Sequence, residues 1–532
     1  MLEQASVIGL EFEWEALGEL TSGGRRPAGP QLAALVRKDL IQRHELIGDT
    51  FRFRHILIRD AAYERVPKRV RSELHERVAA WLEPRGDEFD EIVAYHLEQA
   101  YISIADLGPV GEHGQELARR AADRLIAAAM KADARGDAGG SVNLLERGLA
   151  ILPAAEARRL QLLPFLGRAL REAGEMDRAE AVLSEAVALA EAADEPLLAA
   201  DASLTLSELR FHQGRISRND FVEEVSSAIR VFRELGDDLA LARALAFSGR
   251  LQFWIGRAQE ALEDFEQAAL LAREAGNPGE EAEYLHHVVS ALTHGPTSAV
   301  VALPRIEELR RAEGLDPRFE VSALLSSGWL EGMQDRFDVA RDLVARGREL
   351  AQEFGMELTL LTEASICAGS IELLAGDGAA AEAALRPACE RLEEIGEVGY
   401  LSSVSPLLAD GLCVQGLDEE ALAITDRWRA DQLTVAEDID AQAAWRRVRG
   451  KAFARVGELD EGERLAREAM KIAERTDHLP LRAWVMSDLA EVLRLAGRPD
   501  EAAAATREAL RLCEAKGNLA AVRLLADSSV AR

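Results

Sequence analysis

The sequence has few aromatic residues and few cysteines, and the number and spacing of the cysteines exclude two kinds of site. Only 5% of its 532 residues are Phe, Trp or Tyr. No Cys-x-x-Cys pair occurs, and the cysteines lie far apart, so neither a zinc site nor a disulfide framework is predicted. Buried thiols in a reducing cytoplasm are expected instead. The four cysteines are Cys367, Cys389, Cys413 and Cys513.

Nucleotide-binding and catalytic motifs are also missing. There is no Gly-x-x-x-x-Gly-Lys-Ser/Thr loop, and the one Gly-Lys pair, Gly450-Lys451, has Trp445 where the first glycine of that loop would stand. No metal-binding aspartate pair of a nucleotide cyclase can be assigned, and no nucleophile, acid pair or metal set converges. We therefore expect a chain that is not an enzyme and that binds no metal and no cofactor of its own.

The sequence has no segment that we predict to cross a membrane. Residues 284–304 carry no Asp, Glu, Lys or Arg, but three histidines, several hydroxyls and a Gly-Pro pair make them too polar. They are predicted to form two buried helix segments around a turn. The first residues contain acids and lack the apolar core of a signal peptide. The expected location is therefore the cytoplasm.

Charge is abundant and mostly negative. The formal net charge is −30, which disfavours a general nucleic-acid binder because phosphates would be repelled. Residues 1–85 are nearly neutral, with 14 Lys or Arg against 13 Asp or Glu, whereas the remainder has 49 against 80. This asymmetry predicts an N-terminal module that is distinct from an acidic body.

Glycines recur at regular intervals at the ends of helical patterns, and the turn of one further unit falls near Asp335. Glycine suits these places because a helix end commonly needs a left-handed residue. The series predicts a repeat array. Its members are Gly136, Gly174, Gly214, Gly256, Gly295, Gly376, Gly416, Gly457 and Gly497.

Small residues recur at fixed offsets from these turns. Around Gly256 they are Gly249, Ala261 and Ala268, which lie seven before, five after and twelve after the turn. Small side chains allow two antiparallel helices to approach closely, so each unit is predicted to be a helix pair. Frequent Gly and Pro exclude a continuous coiled coil. Four internal prolines are expected to kink helices or mark their starts: Pro164, Pro304, Pro387 and Pro406.

This pattern resembles the tetratricopeptide repeat (TPR) family over about residues 115–515, with a period near 40 rather than 34. The resemblance implies an α-solenoid superhelix that holds a peptide, a helix or a partner domain in its groove. The position six residues before each turn is predicted to face that groove. The predicted groove contacts are Arg250, Trp329 and Lys451, with Trp484 on the same face.

The N-terminal module has a different pattern. Residues 3–21 and 31–41 are predicted to be helices, and Gly48-Asp49 is predicted to be the turn of a hairpin because Phe51 and Phe53 alternate with arginines. Helical spacing returns over 55–66 and 69–83. Helices followed by a hairpin and a further helix are typical of a winged helix.

The segments EQASVIGLEF, LVRKDLI, FRFRHILIRDAAYERV and RSELHERVAAWLE resemble the winged helix that follows the ATPase core in bacterial STAND-type signalling ATPases. In many of them a class III adenylate or guanylate cyclase domain comes first, and others carry transcription-regulator domains. AYHLEQA and ARGDAGGSVNLLERGLAIL resemble the junction from that winged helix to the repeats. The resemblance implies that His55 senses nucleotide phosphates, with ATP or ADP bound by a missing or partner ATPase domain.

Two alternatives concern groups of basic or metal-binding residues. The excess of Lys and Arg over residues 37–77 would suit a winged helix that contacts DNA, or else a surface that is salt-bridged or docks an ATPase. His286, His287 and His294 are close in sequence, but no acidic or thiol ligand stands at a natural spacing, so a metal site is not predicted.

We therefore predict a mostly α-helical chain with three parts: a winged-helix domain over 1–85, a helical junction with the first repeat over 86–152, and a TPR-like α-solenoid over 153–532. The predicted function is non-catalytic regulation within a bacterial signalling ATPase. The expected partner is a protein or the ATPase domain, and a small ligand is also considered. The alternative is a fragment of a transcriptional regulator whose winged helix contacts DNA.

Overall fold

The structure of the chain, a computed structural model, is mostly helical and describes residues 1–22, 29–43, 50–134, 137–153, 157–213, 215–311, 316–428 and 438–530. The chain divides into two compact units, Met1–Glu224 (unit 1) and Val225–Arg532 (unit 2). The predicted boundaries after residues 85 and 152 remain predictions.

Unit 1 begins with a mixed segment of helices and strands. A three-stranded antiparallel sheet has the strand order β1-β3-β2. Its elements are α1 (Leu2–Ile8), β1 (Glu11–Glu13), α2 (Trp14–Ser22), α3 (Gly29–Arg37), β2 (Ile41–Arg43), β3 (Thr50–Phe53), α4 (Ile56–Glu64) and α5 (Lys68–Leu82).

The prediction of one helix over residues 3–21 is wrong, because β1 separates α1 from α2. Phe12 is buried between two exposed glutamates, so the segment alternates as a strand does. Its ring lies 6.0 Å from that of Phe51 and 5.6 Å from that of Phe53, and these three rings help to form the core of the sheet. The helix predicted over 31–41 ends earlier, at Arg37, since Ile41 begins β2.

The predicted strand at Phe51 and Phe53 is confirmed, but its partner strand lies earlier in the chain than predicted, at Ile41–Arg43. Ile41 pairs with Phe53 and Arg43 with Phe51 in antiparallel register. The predicted turn at Gly48-Asp49 lies outside the described residues. The predicted return to helix is also confirmed, by α4 and α5.

The rest of unit 1 is helical, and α12 carries the boundary with unit 2. After two short 3-10 helices, Glu83–Arg85 and Asp87–Phe89, the helices are α6 (Asp90–Ala105), α7 (Glu112–Ala134), α8 (Ala138–Ile151), α9 (Ala157–Glu172), α10 (Met176–Ala192), α11 (Pro196–His212) and α12 (Arg218–Leu235).

Unit 2 is built from helix pairs, each with a first and a second helix. The first helices are α13 (Asp238–Trp254), α15 (Pro278–His294), α17 (Pro317–Met333), α20 (Glu363–Ala375), α22 (Val398–Val414), α24 (Ile439–Arg455) and α26 (Leu479–Leu495). The second helices are α14 (Ala258–Glu274), α16 (Ala299–Arg310), α18 (Phe337–Glu353), α21 (Gly378–Ile395), α23 (Asp418–Arg427), α25 (Leu459–Ala473) and α27 (Pro499–Lys516). The short helix α19 (Glu357–Leu361) and the last helix α28 (Leu519–Val530) complete the unit.

The small residues before the turns set the spacing of these pairs, as predicted. A Cβ atom added to Gly249 would lie 2.6 Å from the ring of Phe265 on the second helix, and one added to Gly328 would lie 2.8 Å from Val344. Such distances are shorter than van der Waals contact, so only glycine permits this close approach at the two positions.

The predicted turns are confirmed at most positions. Gly174, Gly256, Gly376, Gly416, Gly457 and Gly497 have φ between +73° and +97°. Asp335 takes the same place with φ 61°. Gly295 differs, with extended backbone (φ −76°), because Pro296 follows it and disfavours helical conformations. Gly136 and Gly214 lie outside the described residues.

A second series of glycines, which the sequence did not lead us to predict, follows α12 and several second helices. Its members have φ between +65° and +77° and are Gly236, Gly276, Gly355, Gly396 and Gly517. The spacing matches that of the first series, so the same periodicity could have revealed it.

Prolines and apolar stretches lie within the array. Pro164, Pro304, Pro387 and Pro406 all lie inside helices, so the expectation that they mark helix starts is wrong. The two helix segments predicted for 284–304 are confirmed as the end of α15 and the start of α16. By length and composition alone, Glu357–Ala375 is the one described stretch that could cross a membrane (mean hydropathy 1.4). It comprises α19 and α20, which pack on neighbouring repeat helices.

Candidate protein-interaction site

The inner face of unit 2 is formed by equivalent positions on successive first helices. Trp329, Ser370, Asp410 and Lys451 occupy this position on α17, α20, α22 and α24, and these neighbouring helices pack against one another. All four side chains are buried, and Trp329 is only 3% exposed. The regular repeat thus brings side chains that are distant in sequence onto one face.

Four charged residues of the inner face form a continuous ladder. Arg447 donates to Asp488 at 2.7 Å and lies 2.9 Å from Asp410, and Lys451 contacts both carboxylates, with 3.0 Å to Asp488. Burial opposes ionisation here, yet the two cations hold the pKa of Asp410 well below its usual range. Despite the same burial, Asp410 and Asp488 raise the pKa values of Arg447 and Lys451. The ladder therefore stays charged and balanced.

Aromatic side chains join the ladder to more distant helices. The ring of Trp484 on α26 lies 6.2 Å from that of Trp329 on α17, and the Arg447 guanidinium stands 5.1 Å from the Trp484 ring. His294 on α15 packs edge-on against Trp329 at 5.0 Å. The contact between the two tryptophans links first helices that are several repeats apart.

Several buried donors on this face lack a hydrogen-bond partner among the described residues. They are Nε1 of Trp329, Oγ of Ser370, and Nε and Nη2 of Arg447. Buried polar groups are almost always paired in folded proteins, so a cluster of unpaired donors on one face requires an explanation.

The last helices of unit 2 return to its first ones at a polar seam, formed by Asp477, Lys516 and the groups that they contact. The Asp477 carboxylate accepts from the backbone N–H groups of Ala258 (2.7 Å) and Gln259 (2.9 Å) at the start of α14. Its own N–H donates to the carbonyl of Gly256 at 2.8 Å. A residue 219 positions away therefore caps this helix.

Lys516 makes the complementary contact at the end of α15. Its Nζ donates to the carbonyls of Leu292 (3.0 Å), Gly295 (2.9 Å) and Thr297 (2.7 Å). Burial lowers the pKa of Lys516 to about 7, although Asp477 acts in the opposite direction. Nearby, Gln334 donates to the carbonyl of Gly517.

The seam also holds a histidine with a carboxylate partner. His478 precedes α26, and its Nδ1 lies 2.8 Å from Oδ2 of Asp440. Although burial disfavours its charge, Asp440 raises the pKa of His478. The His478 ring also packs on Phe253 of α13 at 5.1 Å. This contact again joins the last repeats of unit 2 to its first.

The structure brings only some of the predicted groove contacts together. Trp329 and Trp484 touch, and Lys451 joins the ladder beside them. Arg250 lies apart on α13 with its guanidinium over Phe247 and 3.8 Å from Glu283. Trp329 and Lys451 are buried rather than open because first helices pack on one another across the unit. Their role as groove contacts remains a prediction.

Sequence reasoning missed Arg447, Asp488, Asp477 and Lys516. The first two lie one helical turn from predicted inner-face positions, but their helices carry several other charged side chains, so the sequence did not single them out. Asp477 and Lys516 carried no local signal, because their partners lie in repeats at the other end of unit 2.

In unit 1, His55 is the N-cap of α4. Its Nδ1 accepts from the N–H of Leu57 at 3.2 Å, and the side chain is exposed. The ring therefore caps the start of α4 by accepting a hydrogen bond, as N-cap side chains do. Its predicted role in nucleotide sensing remains a prediction.

The basic residues around His55 are engaged with neighbouring groups. Arg71 donates to the backbone carbonyls of Tyr63 and Val66. These contacts agree with the salt-bridged surface considered above and leave less positive charge for DNA. The ion pairs join Arg52 to Glu11, Arg54 to Asp39, Arg59 to Asp60, Arg65 to Glu3, Lys68 to Asp106 and Arg69 to Glu73.

A second buried polar cluster lies beneath this surface in unit 1. With both rings neutral, the Tyr63 hydroxyl donates to Nε2 of His75 (2.9 Å), whose Nδ1–H donates to Nδ1 of His96 (2.8 Å). Burial, followed by the charge of the neighbouring groups, lowers the pKa of His75 to about 2 and that of His96 to about 4.

The three histidines that were considered as metal ligands do not form one site. His287 stacks on Phe265 at 4.9 Å, and His286 lies 3.7 Å from Glu363, whereas His294 belongs to the inner face. Among the described residues, no group of three or more His, Cys, Asp or Glu side chains could hold a metal ion.

Comparison with known proteins identifies a repeat and similar folds. A family model described as Tetratricopeptide repeat matches residues 440–515. No curated protein matches the sequence. The chain resembles a Rap protein complexed with Competence and Sporulation Factor, with 17% identity, TM-score 0.49, and coverage of 68% of this chain and 98% of that one.

A second similar structure is the Signal Transduction ATPase with Numerous Domains (STAND) protein with a tetratricopeptide repeat sensor from Pyrococcus horikoshii. Its identity is 14% and its TM-score 0.38, and the match covers 96% of this chain and 62% of that one. A third is NprR in complex with its cognate peptide NprX, with 14% identity, TM-score 0.37, and coverage of 52% and 82%. At these values the similarities carry no information about function.

Proposed function

We propose that this chain is a non-catalytic regulatory part of a bacterial signalling ATPase, and that the inner face of unit 2 binds a segment of a partner protein. Repeat arrays of helix pairs present extended faces built from equivalent positions of successive repeats, and such faces suit peptides and helices. The match of residues 440–515 to the tetratricopeptide repeat supports this assignment.

The observation that carries the proposal is the composition of the inner face. It combines two tryptophans, a balanced charge ladder and four donor atoms that have no partner in the described part of the chain. Aromatic and arginine side chains dominate the energetics of protein recognition. The unpaired donors could be satisfied by acceptor oxygens of a bound partner segment. A small ligand that offers the same groups would use the same face.

The N-terminal module supports a second part of the proposal. The order of α1, β1, α2, α3, β2 and β3, with β3 between the other two strands, supports a winged helix that docks on an ATPase domain. Within such a complex, His55 would contact the phosphates of ATP or ADP held by the ATPase. The ion pairs of the basic residues argue against the alternative of DNA contact.

The binding proposal can be tested on the full chain. Peptides are selected from a random nonapeptide display library, and the Kd of the strongest binder is measured for the wild type, Ser370→Ala and Ser227→Ala. Ser370 carries one of the unpaired donors of the inner face, whereas Ser227 lies half-buried on α12 as the matched control. We expect a Kd at least tenfold weaker for Ser370→Ala only. Equal binding by all three proteins would remove the inner face as the site.

A further inference from the structure

The seam of unit 2 supplies two helices with caps that they lack locally. Arg257, the N-cap residue of α14, makes no capping hydrogen bond with its side chain, and the carboxylate of Asp477 takes that role. Lys516 places a donating amino group at the carbonyl end of α15. The Asp477 carboxylate has the sign that the helix dipole favours at a helix start.

Water would take the place of these caps in an open form. If the last repeats moved away from the first, the N–H groups of Ala258 and Gln259 and the carbonyls of Leu292 and Gly295 would be hydrated instead. The net free energy of such an exchange is small, because water replaces the lost hydrogen bonds. A seam made of polar caps therefore suits reversible opening better than an apolar interface would.

The inner face adjoins this seam, since the ring of His478 lies 6.4 Å from that of His294, which packs on Trp329. Its donor atoms are closed to ligands in the present structure. Nε1 of Trp329, Oγ of Ser370 and Nε of Arg447 are fully enclosed, although the described residues offer them no acceptor. Enclosure without a partner is costly. An open form would relieve that cost by exposing these donors to water or to a ligand that brings acceptor oxygens.

We infer that unit 2 is a gated receptor: the caps made by Asp477 and Lys516 form a gate, and its opening admits a peptide segment to the donors of the inner face. The inference rests on the proposed function, because it concerns access to the same face. The ligand would bring acceptor oxygens, either backbone carbonyls or carboxylates.

The first test opens the gate in the full chain with Asp477→Ala combined with Lys516→Met. The matched control is Asp377→Ala combined with Lys471→Met. Asp377 caps α21 locally through the N–H of Ala380, and Lys471 is exposed. The measurements are the radius of gyration by X-ray scattering and amide hydrogen exchange over residues 326–333, around Trp329.

We expect the open variant to have a larger radius of gyration and at least tenfold faster exchange over residues 326–333, with neither change in the control. Faster exchange there reports opening of the inner face rather than the loss of the two caps themselves. If scattering and exchange matched the wild type, the gate would be disproved.

The second test locks the gate with Ala299→Cys and Gly517→Cys. A Cβ atom built at Gly517 lies 3.9 Å from that of Ala299, within the range of a disulfide, although Gly517 has φ +75° and the substitution is strained. We expect the oxidised form to slow exchange over residues 326–333 and the association of the selected peptide at least tenfold, and dithiothreitol to restore both. Equal exchange in the oxidised and reduced forms would disprove the gate, even if the open variant failed to fold.

The two proposals can fail separately. If no selected peptide binds the wild type or the open variant, the proposed function fails, and the gated-receptor inference fails with it even where scattering and exchange detect the opening. If a peptide binds the wild type, the open variant and the oxidised form with equal association rates, the binding face stands and the gate is disproved.

Discussion

The two units bury polar clusters of opposite kinds. In unit 1, Tyr63, His75 and His96 form a neutral chain of hydrogen bonds, whereas the ladder of unit 2 is fully charged. Both clusters satisfy part of their hydrogen-bonding capacity internally, but their protonation differs. Burial, reinforced by the charge of neighbouring groups, keeps the histidines neutral, while opposite charges at contact distance keep the ladder ionised.

This difference in protonation predicts how each unit responds to a change of pH and to the loss of one residue of its cluster. A neutral cluster responds to pH near the ordinary pKa of its members, because burial disfavours their charged forms. A balanced ladder tolerates a change of pH but not the loss of one member, since that would leave a charge buried without a partner. Four predictions test this comparison.

The largest expected effect is a loss of stability in unit 2 when one charged residue of the ladder is removed. Arg447→Met should lower the free energy of unfolding of unit 2 by about 3–5 kcal/mol, because Asp410 and Asp488 would then share only Lys451. Denaturant unfolding of the full chain measures it. Arg346→Met, on the exposed face of α18, is the control, with an expected change within about 0.5 kcal/mol. A loss below about 1 kcal/mol for Arg447→Met would contradict the ladder's role.

The second effect concerns pH in unit 1. The folded pKa values of His75 and His96 lie below the ordinary 6.5, so the folded state binds fewer protons than the unfolded state just below pH 6.5. Stability is therefore present above pH 6.5 and is lost as pH falls, by roughly 1.4 kcal/mol per pH unit for each histidine. We expect a loss of about 3 kcal/mol at pH 5.5, measured by hydrogen exchange in α5 and α6.

His75→Phe combined with His96→Leu should abolish this pH dependence, whereas His113→Gln, at an exposed position, should leave it unchanged. Unit 2 should respond less over the same range, because its titratable groups oppose one another. Burial lowers the pKa of His287 and lowers that of His294 to about 4, so both act in the same direction as His75 and His96. His478 and Asp438, whose pKa values are raised, act in the opposite direction. Equal acid sensitivity of the two units would refute the comparison.

The third effect extends the comparison to the spacing of helix pairs. Gly249→Ala in unit 2 would place a methyl group against the rigid ring of Phe265, and Gly167→Ala in unit 1 would place one against the flexible end of Leu183. We expect losses of about 2 and about 1 kcal/mol, respectively, measured by thermal unfolding. Gly279→Ala, at an exposed helical position with no close neighbour, should be neutral or stabilising. Equal losses of stability for Gly249→Ala and Gly167→Ala would show that the flexibility of the neighbouring side chain does not determine the loss.

The smallest effect concerns the cap of α4 in unit 1. His55→Ala should destabilise α4 locally by about 0.5 kcal/mol, seen as faster amide exchange at Leu57, whereas His55→Asp should retain the cap. If His55 also senses nucleotide, both variants should lose coupling to an ATPase partner. Full coupling in His55→Asp would leave the cap as the only role of this residue.

Much of the repeat architecture was predictable because it depends on local periodicity. The turn glycines, the close approach at Gly249 and the strand Thr50–Phe53 are short-range features with clear sequence signals. The strand at Phe12 was missed because so short a strand between helices shows too little alternation. Asp477 and Lys516 were missed because their meaning depends on partners at the other end of unit 2.

The sequence by itself determined that this chain is an acidic, helical array in which helix pairs recur at a regular spacing. Spacing and residue size suffice for that conclusion, because turns and helix contacts within a pair are local. Only the tertiary structure decided that the first helices of unit 2 close over their own inner face. That closure depends on hydrogen bonds and aromatic contacts between distant repeats, and no local pattern encodes which repeats will meet.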